Sequence, residues 1–100
     1  MTTRKEIINI IRKNLPYLKN EYSVKKIALF GSFASGKANQ RSDIDIFIDF
    51  SEPVGLRFME LAEYLEKILH KKADVITSVG LKTIRVKGIA REIKRRLIYV

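Results

Sequence analysis

The sequence predicts a small α+β domain of two layers, a mixed sheet of at least three strands covered by helices. Three observations predict it. Apolar residues recur at helical spacing near the start of the chain, over residues 58–69, and again towards the end. Between these stretches lie three short runs of strand character, 24–30, 43–50 and 73–77. The resulting order is helix, strand, strand, helix, strand, helix, which packs helices over the apolar face of one sheet. One hundred residues, 46% hydrophobic and 31% charged, make a single globular domain with a modest core.

Thr3-Arg4-Lys5-Glu6 has the pattern of a capping box. Ile7, Ile8, Ile11 and Leu15 follow at helical spacing, and Pro16 should stop or bend the helix, so it is expected over about residues 3–14. The first strand, 24–30, ends at Gly31-Ser32, and residues 34–42 are small or polar. The second strand is 43–50. Ser51-Glu52-Pro53 reads as a turn and helix start. Phe58, Leu61, Ala62, Leu65, Ile68 and Leu69 then draw an amphipathic helix, with Glu60, Glu63, Glu66 and Lys67 on the wet side and Tyr64 at the core edge. His70 falls at that helix's C-terminus, where a cation suits the helix dipole. No second His or Cys lies near it, so it is not a metal candidate. The third strand is 73–77, closed by Ser78-Val79-Gly80. Val86, Ile89, Ala90, Ile93 and Leu97 mark a last helix over about 81–98, bent near Gly88.

The absence of cysteine excludes disulfides and thiolate metal sites and suits a cytoplasmic protein. No apolar run is long enough to span a membrane. The net charge of +9 is uneven. Residues 81–100 hold Lys82, Arg85, Lys87, Arg91, Lys94, Arg95 and Arg96 against Glu92 alone. Such a face can meet nucleic acid, nucleotide phosphates, an acidic protein surface or only solvent. It lacks the interleaved aromatics on which single-stranded nucleic acid stacks.

The candidate site lies between residues 30 and 50. Residues two apart on a strand share a face, so Asp43 and Asp45 point one way while Ile44, Ile46 and Ile48 point the other. Two carboxylates on one face repel and lose hydration unless a cation joins them. Mg2+ suits such a pair, since it takes oxygen ligands and leaves positions for phosphate. Gly31 lets the backbone approach a phosphate closely, and Ser32 adds a hydroxyl. Asp49 shares the parity of the pair but lies about 13 Å beyond Asp45 at strand rise, too far for the same metal. Asp74, taken alone, reads as a capping or surface carboxylate.

The stretch F-G-S-F-A-S-G-K-A-N-Q-R-S-D-I-D-I-F-I-D-F resembles the Gly-Ser, ten residues, Asp-x-Asp signature of the polymerase-beta-like nucleotidyltransferases, and more narrowly their minimal single-domain members. The resemblance runs from about Lys25 to the C-terminus. It implies a third metal-binding and catalytic carboxylate on a strand beside the first two, and Asp74 is the acid at that place. It implies two Mg2+ ions on Asp43, Asp45 and Asp74, ATP held at Gly31 and Ser32, and transfer of AMP to an acceptor hydroxyl with release of pyrophosphate. Many minimal members pair with a HEPN-domain ribonuclease toxin and act as its antitoxin, some by attaching AMP to a toxin tyrosine. Several relatives carry Arg between the Gly-Ser pair and the next Gly. Phe33-Ala34-Ser35-Gly36 has none, so that phosphate contact is absent here or moved to Lys37 or Arg41. A contact-only antitoxin and a nucleic-acid-associated transferase are the alternatives. A homodimer and a hetero-oligomer are both open.

Overall fold

The computed structural model describes residues 3–39, 41–78, 80 and 97–100. Helix α1 (Arg4–Tyr22) begins where the capping residues predict: the Thr3 hydroxyl accepts the Glu6 N–H at 3.2 Å. It does not end at Pro16. That residue sits inside the helix on its exposed side, where a carbonyl left without its proline donor can be hydrated. Burial of Ile11 before it and of Leu18 and Tyr22 after it keeps one apolar stripe against the sheet, and that packing outweighs a local helix breaker. The helix ends at Ser23, whose left-handed backbone (φ 55°) directs its N–H to the Leu18 carbonyl.

Strand β1 (Val24–Phe30) leads into the short helix α2 (Gly31–Ser35), then β2 (Ile44–Phe50). The strand begins one residue later than expected, leaving Asp43 just outside it. Helix α3 (Arg57–Leu69) buries Leu61, Leu65 and Leu69, as its spacing predicts. It starts at Arg57, after a turn closed by the Arg57 N–H on the Val54 carbonyl at 3.1 Å, so Ser51-Glu52-Pro53 is a bend ahead of that turn and not the helix start. Strand β3 (Ala73–Thr77) matches its expected limits.

A further strand, β4 (Ile98–Tyr99), corrects the expectation of a helix to residue 98. Ile98 faces Leu29 of β1, Tyr99 faces Ala28, and the Val100 N–H donates to the Ile27 carbonyl at 2.9 Å. The edge of β1 offers unpaired backbone groups that this β-branched end satisfies. Residues 81–96 of the expected helix, with its Gly88 bend and basic face, lie outside the described residues.

The sheet order is β3-β2-β1-β4, with β2 and β3 parallel and the other pairs antiparallel. One face packs Ile27, Leu29, Ile44, Ile46 and Ile48 against α1 and α3, forming the main core. On the other face Ala28 and Phe47 are buried, with Phe30, Ile76 and Leu97 packed against them.

Candidate active site

The site forms where the second sheet face meets the end of β1. Parity along β2 sends Ile44, Ile46 and Ile48 fully into the core and puts Asp45 on the opposite face. In the parallel pairing of β2 with β3, Asp45 lies beside Asp74; in the antiparallel pairing with β1 it lies beside Phe30, the residue before Gly31. One strand position therefore joins three segments far apart in the chain. Asp43, exposed and one residue before β2, completes the acidic group.

Several bonds hold this register. The Ile44 N–H donates to the Lys72 carbonyl at 3.0 Å. The Ala73 N–H donates to Glu66 Oε2 at 2.9 Å. Glu66, expected on the wet side of α3, instead ties the start of β3 and so sets the height of Asp74. The loop before Asp43 is organised by Asn39: its side-chain oxygen accepts the Arg41 N–H at 2.8 Å, and its own N–H donates to Ser42 Oγ at 2.9 Å.

Gly31 stands at φ +69°, a left-handed backbone that favours glycine. A Cβ there would collide with Asp45 Oδ2 and come within 2.9 Å of its Cγ. The close approach read from the sequence is thus, in this structure, an approach of the Gly31 backbone to the Asp45 carboxylate. The first N–H groups of α2 follow directly, with Ser32 on its first turn. Among the described residues nothing bonds to the Ser32 hydroxyl.

Burial first, then the charge of Asp74, then that of Asp43, raise the pKa of Asp45 above the ordinary aspartate value. Among the described residues no salt bridge neutralises any of the three carboxylates. Nor does any set of three His, Cys or acidic side chains among them stand closed around one point. The donor chemistry fits a hard divalent cation: oxygen ligands alone, with a central carboxylate made unfavourable by its neighbours' charge. Asp49 takes no part, accepting instead from Ser78 Oγ at 2.8 Å further along β2.

Lys37 and Arg41 are both exposed. Lys71, which the sequence places at the C-terminal end of α3, reaches α2 as well: its Nζ lies 5.9 Å from the centre of the Phe33 ring. Only the fold brings the loop before β3 against that helix. His70 caps α3 in the left-handed region, exposed to solvent.

Known proteins resemble this chain in sequence and in fold. Residues 5–100 match the family model described as a nucleotidyltransferase domain. A Methanocaldococcus jannaschii protein, provisionally named a protein adenylyltransferase, is 47% identical over 103 residues, spanning 100% of both chains. A Thermococcus cleftensis protein named protein adenylyltransferase MntA is 39% identical, over 100% of this chain and 98% of its own. A solved structure described provisionally as a minimal nucleotidyltransferase has the same fold, with TM-score 0.75, 22% identity, and 97% and 95% of the two chains covered. A toxin–antitoxin crystal structure with AMP-PNP superposes at TM-score 0.64 and 23% identity, covering 98% of this chain and 72% of that one. A Shewanella oneidensis complex of a tri-AMPylated HEPN toxin with its MNT antitoxin superposes at 0.55 and 21%, covering 96% and 66%. The family match over nearly the whole chain, and near-half identity to a full-length relative, lead to one conclusion: the chain belongs to the nucleotidyltransferase domain family.

Proposed function

We propose that this nucleotidyltransferase is a Mg2+-dependent protein adenylyltransferase and antitoxin. It transfers AMP from ATP to a tyrosine hydroxyl of a HEPN-type toxin, within a cytoplasmic complex of the two proteins. The observation that carries the reading is the register of Asp45 beside Asp74, with the Gly31 backbone against the same carboxylate. The similarity to a named protein adenylyltransferase and the shared fold of the toxin–antitoxin structures support it.

Asp43, Asp45 and Asp74 are the residues that would hold two Mg2+ ions. Bound there, the metal supplies Lewis-acid polarisation of the α-phosphorus and neutralises charge on the leaving pyrophosphate. The Ser32 hydroxyl and the first N–H groups of α2 hold the triphosphate. Asp74, exposed on β3, accepts the proton of the incoming tyrosine hydroxyl. The tyrosine oxygen bonds to the α-phosphorus as the bond to pyrophosphate breaks.

The test is intact-mass analysis of the HEPN partner after incubation with this protein, ATP and Mg2+. The wild type should add AMP units, and the Asp43→Asn, Asp45→Asn double variant none. Replacing the acceptor tyrosine by Phe should remove the adduct. A double variant that neutralises the toxin fully, with no mass ever added, would replace the enzyme by a contact-only antitoxin. AMP found on RNA instead of protein would move the acceptor to nucleic acid.

A further inference from the structure

Helix α2, which carries Gly31 and Ser32, is five residues long and is bracketed by two glycines in left-handed conformations, Gly31 at φ +69° and Gly36 at φ +79°. So short a helix has few bonds of its own, and both its ends lie at backbone positions that turn readily. Phe33 and Ala34 bury its inner side in the core and Lys71 lies at the Phe33 ring, and a further long-range side chain bonds to its backbone. Arg4 Nη1 donates to the Ala34 carbonyl at 2.8 Å, across thirty residues of sequence. That carbonyl belongs to the last turn of α2, where backbone acceptors lack partners within the helix and a cation is favoured.

The same arginine is badly placed for its own helix. It is the first residue of α1, at the end where the macrodipole disfavours positive charge. Nothing in α1 calls for a cation there, whereas the C-terminus of α2 does. We propose that Arg4 is a positioning residue for the transfer reaction: it holds α2 at a fixed tilt, and thereby holds Gly31 and Ser32 against Asp45. This deepens the reading given under Proposed function and rests on it. Without Arg4, α2 is held only by the buried Phe33 and Ala34 and by its neighbours on that side, its outer side is free to tilt, and the triphosphate-holding groups move relative to the carboxylates. A displacement of that kind costs about 10–100-fold in rate.

The experiment compares Arg4→Met, which keeps the apolar stem, with Arg4→Lys, which keeps a cation able to reach one carbonyl. Both are measured as full chains. Amide exchange should quicken at residues 31–36 in Arg4→Met, while the melting temperature stays level or rises slightly as α1 loses an unfavourable end charge. The kcat for AMP transfer should fall and the KM for ATP should rise, with Arg4→Lys restoring most of both. A merely structural role would lower the melting temperature and leave the constants of the folded fraction untouched. The inference is overturned by unchanged exchange at 31–36, by an unchanged kcat/KM in Arg4→Met, or by Arg4→Lys behaving no better than Arg4→Met. If the wild type itself transfers no AMP, the proposed reaction fails and the positioning role of Arg4 in it, while the exchange result still decides whether Arg4 holds the helix.

Discussion

Strand β2 has two faces made from seven consecutive residues. On one, Ile44, Ile46 and Ile48 are wholly removed from solvent between α1 and α3. On the other, Asp45 and Asp49 flank Phe47, and both are only half-buried. The apolar face gains free energy from every residue it buries, about 1.5–3 kcal/mol for each isoleucine. The acidic face loses it, since burial and two neighbouring carboxylates work against a charge on Asp45. The contrast sets the strand's stability, supplied by one face, apart from the chemistry proposed for the other.

Four substitutions and one control test that separation, in falling order of their effect on stability. Ile46→Ala removes a fully buried side chain and should cost about 2–5 kcal/mol, read by urea denaturation. Activity per folded molecule should survive at a temperature where the variant is folded. A large loss there would mean that the two faces are coupled.

Gly31→Ala comes second. A left-handed backbone costs a non-glycine residue about 1–2 kcal/mol, and the new methyl also collides with the Asp45 carboxylate. Gly36→Ala is the control, because Gly36 has similar backbone strain but open space around its Cα. Gly31→Ala should lose more stability than Gly36→Ala, by the cost of that collision, and far more transfer activity. Equal activities would show that backbone strain alone matters.

Asp49→Ala removes the acceptor for Ser78 Oγ and should cost about 1 kcal/mol. Transfer should be unaffected in an AMP-labelling assay, because Asp49 stands outside the acidic group. Loss of transfer would extend the site along β2.

The smallest effect on stability has the opposite sign. Asp45 has a raised pKa in the folded state. A folded state that holds the proton more tightly gains stability at low pH, below the unfolded value, and loses it as pH rises through the raised folded value. The ionised carboxylate therefore weakens the metal-free fold at neutral pH. Asp45→Asn should melt slightly higher than wild type at pH 7, and the difference should fade as the pH drops below the ordinary aspartate range. It should also abolish transfer. A variant that melts lower at pH 7 would show that Asp45 is held by contacts its charge needs.

Much of this was legible because it rests on local periodicity. Alternation along β2 assigned the faces of Asp45 and Ile46, and the spacing of Leu61, Leu65 and Leu69 assigned the buried stripe of α3. The Gly-Ser turn and the Asp-Ile-Asp run were read from residues close in sequence, where covalent geometry alone limits the choices. Local signals also misled. Pro16 is a helix breaker in isolation, yet α1 continues through it because Leu18 and Tyr22 gain more by packing than the missing bond costs.

What the sequence determined by itself was helix α3, the three longer strands, the apolar stripes and the acidic pair, all properties of spacing within a single segment. Tertiary structure alone decided which segments lie side by side. The parallel register of β2 and β3 brings Asp74 beside Asp45, and Glu66 holds the start of that strand. The same packing makes a strand of Ile98 and Tyr99 against β1, seats Lys71 by Phe33, and joins Arg4 to Ala34. These contacts span long stretches of chain. Their energies depend on where whole helices and strands are anchored by the core, which no run of neighbouring residues encodes.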